Sequence, residues 1–278
     1  MLSVNPALKL LKETSRTFYI PISLLPKGLQ EAVASAYLCM RAIDQIEDHP
    51  TMAVNTKTTL LRQISLNLQS ATESATPDDF SKGLSLYADE LEEVSLRIGE
   101  WALLAPDTIA PRIWDATAAM ADRMAYWAER DWKVETEADL NSYTFSVAGA
   151  VGLLLCDLWA WHDGTVTSRT EAIGFGRGLQ AVNILRNHRE DLEQRGVSFF
   201  PEGWNEADME RFARRNLALA DAYAASLPKG PALLFCRIPL ALAHATLDVM
   251  SEGKEKLTRS DVMAIVSPLI SPLSKVAS

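Results

Sequence analysis

Residues 29–48 run Leu29-Gln-Glu-Ala-Val-Ala-Ser-Ala-Tyr-Leu-Cys-Met-Arg-Ala-Ile-Asp-Gln-Ile-Glu-Asp48. Pro26-Lys-Gly28 breaks the chain before this stretch and His49-Pro50 stops it, so the pattern predicts a helix from Leu29 to Glu47. At about 100° per residue, Tyr37, Arg41, Asp44 and Asp48 fall in one stripe roughly 60° wide in its C-terminal half. Two carboxylates four residues apart repel by a few tenths of a kcal/mol, and a cation between them explains the pairing. Hard oxygen ligands suit magnesium. The spacing alone is weak evidence, because a chain with 36 acidic residues produces such pairs by chance on solvated faces. Leu38, Met40, Ile43 and Ile46 raise its weight: they predict a buried helix, on which an acidic stripe needs a partner.

The same helical periodicity extends along the chain. It predicts helices over 56–72, 78–104, 111–131, 140–161, 170–194, 206–226 and 231–252, with a short one near Ser260. Thr76-Pro-Asp78, Ala105-Pro-Asp107, Asp163-Gly164 and Pro201-Glu-Gly203 supply the turns between them. No alternating run bounded by a hairpin turn is present, and neither is an internal repeat. An all-α fold in one domain over residues 1–278 is expected, with the tail after about 268 frayed. At 278 residues, 48% hydrophobic and 23% charged, the chain has material for a sizeable core.

A net charge of −9 argues against nucleic acid or an anionic membrane as a broad partner. Cys39, Cys156 and Cys236 lie far apart among apolar residues, which predicts buried thiols rather than disulfides or a zinc site. The N-terminus has no secretory pattern. The apolar run from Val147 to Trp161 carries Asp157 and falls short of the roughly 20 residues a membrane span needs. These features predict a cytoplasmic protein with no transmembrane segment, a monomer or weak dimer.

A second polar stripe lies in 178–191. Gln180, Asn183, Arg186, Asn187, Glu190 and Asp191 fall within about 140° on one face, beside Leu179, Val182, Ile184 and Leu185. Asn and Asp oxygens can ligate magnesium and Arg186 can take a diphosphate oxygen, whereas the polar stretch 189–195 is also compatible with an exposed helix end. Two such stripes suggest bundle helices that hold bridging ions and a diphosphate over an apolar cavity. Phe18, Tyr19, Phe145, the 151–155 run, Trp159, Phe175 and Phe235 are candidate wall residues, although for any single one ordinary core packing is the simpler reading.

These segments resemble the squalene/phytoene synthase family, with wording nearer to squalene synthases. Ser15-Arg-Thr-Phe18 is similar to the family's N-terminal diphosphate-binding stretch, and Arg41 to Asp48 to its first aspartate-rich motif. Tyr143 followed by Val147-Ala-Gly-Ala-Val-Gly152 resembles the helix bearing a catalytic tyrosine. Gln180 to Asp191, then Val197-Ser-Phe-Phe-Pro201, resembles the second motif and its loop, and Phe235-Cys-Arg-Ile-Pro239 a further segment. The resemblance implies an isoprenoid-synthase helical bundle. It implies magnesium-dependent head-to-head coupling of two farnesyl diphosphates to a C30 product: squalene, presqualene diphosphate or dehydrosqualene. Asp44, Asp48 and Asp191 are implied metal contacts and Asn187 occupies a fourth metal position. Ser15, Arg16, Tyr37, Arg41, Gln180, Asn183 and Arg186 are implied substrate contacts, and Tyr143 is implied in proton transfer.

Three departures qualify the resemblance. Asn187 stands where the second motif usually begins with Asp, which weakens attraction for a cation and keeps a single-substrate cyclase, lyase or phosphatase open as the alternative. Asn183, Asn187 and Asp191 also resemble the asparagine-containing metal motif of terpene cyclases, and a non-catalytic isoprenoid-binding protein is a third reading. The C-terminal anchor of eukaryotic squalene synthases is missing, which implies a soluble bacterial-type enzyme whose membrane contact is limited to product release. His244 lies where several relatives carry a tyrosine nearby, and is read as a packed or a pocket histidine. NADPH would separate squalene from dehydrosqualene as product. Gly174-Phe-Gly-Arg-Gly178 follows no strand and is a poor dinucleotide fingerprint.

Overall fold

The computed structural model describes residues 4–254 and 256–270, with the backbone alone for Asn5, Arg16 and Arg195. Among the described residues the regular structure is helical, with no strand. The chain forms two compact units, one of residues up to 133 together with 160–164, the other of 134–159 together with residues from 165 on.

The first unit contains α1 (Val4–Thr14), α2 (Arg16–Ser23), α3 (Leu29–Glu47), α4 (Val54–Gln69), α5 (Pro77–Ser81), α6 (Glu93–Leu96), α7 (Ile98–Ala102) and α8 (Ala110–Glu129). The expected helix over 29–47 is present with those bounds. It is apolar nearly all round, as a central helix must be: α1, α2, α4, α6, α7 and α8 all pack against it. The periodic pattern begins at Leu29 and so misses α1 and α2. These are short helices of the kind that is marginal alone and is stabilised by docking on a neighbour.

The expected helix over 78–104 is not one helix. The segment folds as α5, a 3-10 turn at Leu84–Tyr87, α6 and α7. Gly83 adopts φ +89°, which ends the first piece, and Gly99 approaches Pro77 so closely that a Cβ would lie 2.0 Å from the Pro77 carbonyl oxygen. Apolar spacing marks a buried face, and short segments folded back on each other bury the same residues.

The second unit contains α9 (Glu137–Thr144), α10 (Ala150–Asp163, whose last residues belong to the first unit), α11 (Arg169–Arg195), α12 (Glu206–Ser226), α13 (Pro231–Ser251) and α14 (Arg259–Ile270). Side-chain caps define several starts. Thr136 and Asn205 form capping boxes with Asp139 and Asp208, and the Ser168 hydroxyl accepts from the Glu171 N–H. α14 continues through Ile270, and the tail expected to fray lies, from residue 271 on, outside the described residues.

α11 is the axis of this unit. A π-helical turn, Phe145–Gly149, joins α9 to α10 and packs against it. A Cβ on Gly152 would lie 1.9 Å from the Ala172 carbonyl oxygen, and one on Gly176 would lie 2.1 Å from that of Ala148. The glycines of 174–178 therefore serve helix packing. Trp159, Phe175 and Phe235 are core residues: Trp159 and Phe235 meet edge to face at 5.6 Å, and the Trp159 indole donates to the Tyr223 hydroxyl at 3.0 Å.

The apolar run expected to be too short for a membrane belongs to a continuous helical stretch of 27 residues, Glu137–Asp163. It and α13, of 21 residues, are long and apolar enough to cross a membrane by length and composition, although half of each apolar window is buried within the protein. All three cysteines are buried thiols, as expected.

Candidate active site

In the first unit the geometry grows from α3. Arg41 and Asp44 form an ion pair one turn apart, and Asp48 caps the helix by donating its backbone N–H to the Asp44 carbonyl at 2.8 Å. The carboxylates of Asp44, Glu47 and Asp48 place oxygens within 4.8 Å of one another. Three carboxylates at this separation repel unless a cation lies among them, and an all-oxygen acidic set is the donor chemistry of a hard divalent ion. This part of the protein fits such an ion.

Glu47 is the member that spacing arguments missed. It lies off the Tyr37–Asp48 stripe by helical angle and is only 3% exposed. Its signal in the sequence was a glutamate beside Asp48 on a helix otherwise apolar on that face. Three residues from Asp44 and next to Asp48, it reaches both along the helical backbone, which stays right-handed through Asp48.

Ser15 is the N-cap of α2: its hydroxyl accepts from the Phe18 N–H at 3.1 Å and lies near the Tyr37 phenol. Phe18 packs against Tyr37 with ring centroids 5.6 Å apart. Burial pushes the Tyr37 phenol up in pKa, so it stays protonated as a donor. Ser15, Tyr37, Arg41 and Asp44 thus belong to one neighbourhood. The Arg16 side chain lies outside the described residues.

In the second unit Asn183, Arg186 and Asn187 form a closed network on α11. Arg186 donates from Nη2 to the Asn183 Oδ1 at 2.6 Å and from Nε to the Asn187 Oδ1 at 3.0 Å. The Asn187 amide donates to the Asn183 Oδ1 at 3.4 Å. The Asn187 oxygen that would face a metal is therefore engaged by a guanidinium. Glu190, on the same stripe, accepts from Gln194 at 3.2 Å. Among the described residues, the group of three acidic ligands is the one on α3, and the α11 stripe gathers none. Gln180 lies one turn before Asn183, and Asp191 one turn beyond Asn187.

Tyr143 lies near the end of α9, just before the π turn, and is 5% exposed. Its ring stacks on Phe199 at 4.5 Å with planes 18° apart, while His188 stacks on Phe200 at 3.8 Å and 12°. The loop after α11 is thus fastened to α9 by one aromatic pair and to α11 by the other. Neither pair was legible as a contact in sequence, since each links residues joined only by the fold. Arg177 donates to the Asn141 carbonyl at 3.0 Å and lies over the Phe145 ring, bracing the π turn against α11. His244 is neither packed in the core nor part of the site: its Nε2 pairs with Asp221 at 3.0 Å on a partly exposed face of α12 and α13.

Squalene synthase of Eremothecium gossypii is 30% identical over 91% of this chain and 63% of its own length. The human squalene synthase is 30% identical over 88% of this chain and 63% of its own, and that of Schizosaccharomyces pombe 29% identical over 88% and 59%. The chain thus spans about six tenths of the length of these relatives. In fold it is similar to a solved structure named TcSQS in complex with a ligand, with a TM-score of 0.76 and 24% identity over 95% of this chain and 85% of that one. A dehydrosqualene synthase structure matches with a TM-score of 0.56 and 21% identity, covering 98% and 96% of the two chains. Residues 11–214 match the model of the squalene/phytoene synthase family, and on this match and these relatives the chain belongs to that family.

Proposed function

We propose that this protein catalyses the magnesium-dependent head-to-head condensation of two farnesyl diphosphates to a C30 product. The observation that carries the proposal is the acidic group of Asp44, Glu47 and Asp48 beside Arg41, Tyr37 and Ser15, in a chain of this family. Magnesium held there would neutralise the departing diphosphate and ease ionisation of the allylic C–O bond. Arg41, already aligned by Asp44, would take a diphosphate oxygen, with Ser15 and Tyr37 donating hydroxyl hydrogen bonds.

As the family resemblance implies, Asp191 and Asn187 would serve as metal contacts, and Gln180, Asn183 and Arg186 would bind the substrate. Tyr143, buried away from bulk water, would hold the proton that coupling releases from carbon. Joining two C15 units expels two diphosphates; loss of a second proton ends at dehydrosqualene, whereas hydride from NADPH ends at squalene. Incubation of the pure protein with farnesyl diphosphate and magnesium, with and without NADPH, tests this by mass spectrometry of hydrocarbon products. A C30 hydrocarbon is expected, and C15 alcohol or cyclic hydrocarbon alone would refute coupling.

One observation favours a second reading. Asn187 is a neutral amide whose oxygen is held by Arg186, so α11 offers less negative charge than a two-aspartate motif, which suits a lyase or phosphatase acting on one prenyl diphosphate. The same product analysis separates the two.

A further inference from the structure

α8 ends in an unusual way. The Trp132 N–H donates to the Trp127 carbonyl at 2.9 Å and the Asp131 N–H to that of Ala128 at 3.0 Å, the paired bonds of a Schellman stop. Glycine normally supplies the left-handed residue of that motif. Here Asp131 and Trp132 both adopt it, with φ 51° and 52°. A bulky residue in this region is an outlier that persists only where the surroundings hold it.

The surroundings are explicit. The Trp132 indole is buried and donates its Nε1–H to the Glu47 carboxylate. Lys57, 5% exposed, donates to the Glu47 carbonyl at 2.7 Å and lies 5.2 Å from the centre of the Trp132 ring. A lysine this buried is rare without partners, and here both belong to the same corner. One oxygen of Glu47 takes the indole proton while the carboxylate still reaches within 4.8 Å of Asp44 and Asp48.

We propose that Trp132 and Lys57 are positioning residues that hold Glu47 in the geometry required for a divalent cation among Asp44, Glu47 and Asp48. The inference rests on the proposed use of that acidic group as a metal site. Carboxylate ligands are oriented by hydrogen bonds from outside the ligand set, and loss of such a bond weakens metal binding about 10- to 100-fold. The strained left-handed pair at the end of α8 is the backbone cost of turning the indole N–H inward.

The test titrates Mn2+, with inorganic diphosphate present, into the full chain and follows free Mn2+ by electron paramagnetic resonance. Trp132→Phe keeps the ring and removes the N–H, and is expected to weaken Mn2+ binding about tenfold. Trp114→Phe is the control: it loses an indole bond of 2.8 Å to the Ala102 carbonyl in the same unit, lowers the melting temperature, and leaves Mn2+ affinity within twofold. If Asp44→Asn weakens binding and Trp132→Phe does not, the positioning role alone is overturned. If Asp44→Asn also has no effect, the metal reading falls with it.

A second measurement needs no change at Trp132. With the tryptophans labelled with 15N, Mg2+ and diphosphate should shift one downfield indole N–H resonance in the native protein and none in Asp44→Asn. No indole shift in the native protein would overturn the proposal.

Discussion

Asp44 carries two opposite demands. Arg41 pairs with it along α3, while Glu47 and Asp48 crowd it with negative charge, so a cation and an anionic substrate arriving together satisfy all four groups better than either alone. Asp44→Asn keeps the shape and an acceptor for Arg41 but removes one charge from the cluster. Turnover is expected to fall at least about a hundredfold, since residues that only orient a ligand already cost about 10- to 100-fold. The helical circular-dichroism signal should be unchanged. Product formation at the native rate would remove Asp44 from the mechanism. Glu47 lies outside the Tyr37–Asp48 stripe although it is within helical reach of Asp44, and the indole that meets it is supplied by the fold alone.

Among the elements, the contact of the π turn and α10 with α11 is the most demanding of the second unit, because Gly152 and Gly176 bring backbone against backbone. Gly152→Ala and Gly176→Ala force a Cβ into carbonyl oxygens that cannot move as a side-chain tip would. Each is expected to destabilise the protein by about 2–3 kcal/mol, in the upper range for overpacking. Gly230→Ala, at a position with open space around it, should stay within about 0.5 kcal/mol. Urea unfolding of the three variants measures the contrast, and equal midpoints would deny the close packing. α3, set off by Pro26-Lys-Gly28 and His49-Pro50, and α12, started by the Asn205 capping box, were legible in sequence to the residue. The interval 78–104 was not, since Gly83 and Gly99 act through a turn and a contact with Pro77 that periodicity does not encode.

For the whole molecule, burial of Cys39, Cys156 and Cys236 makes thiol chemistry a reporter of global opening. Burial pushes the Cys39 thiol up to about 12 and raises that of Cys236 as well, so neither is a thiolate at neutral pH. The native protein at pH 8 is expected to react with none of its three thiols on the minute scale of an aromatic disulfide reagent, and with all three in guanidinium. Fast labelling of one cysteine in native buffer would show local opening around it. The sequence by itself determined the helical class, the helix carrying Asp44, the stripe from Gln180 to Asp191 and the buried state of the thiols, because 3.6-residue periodicity and capping chemistry are local. Only the tertiary structure decided that Glu47 completes an acidic group, that Arg186 claims the Asn187 oxygen, that Phe199 and Phe200 fasten a loop by stacking, and that Trp132 turns inward at a strained helix end. Each of these is a contact between chemically ordinary residues, fixed by which surfaces the packing brings within hydrogen-bonding or van der Waals reach.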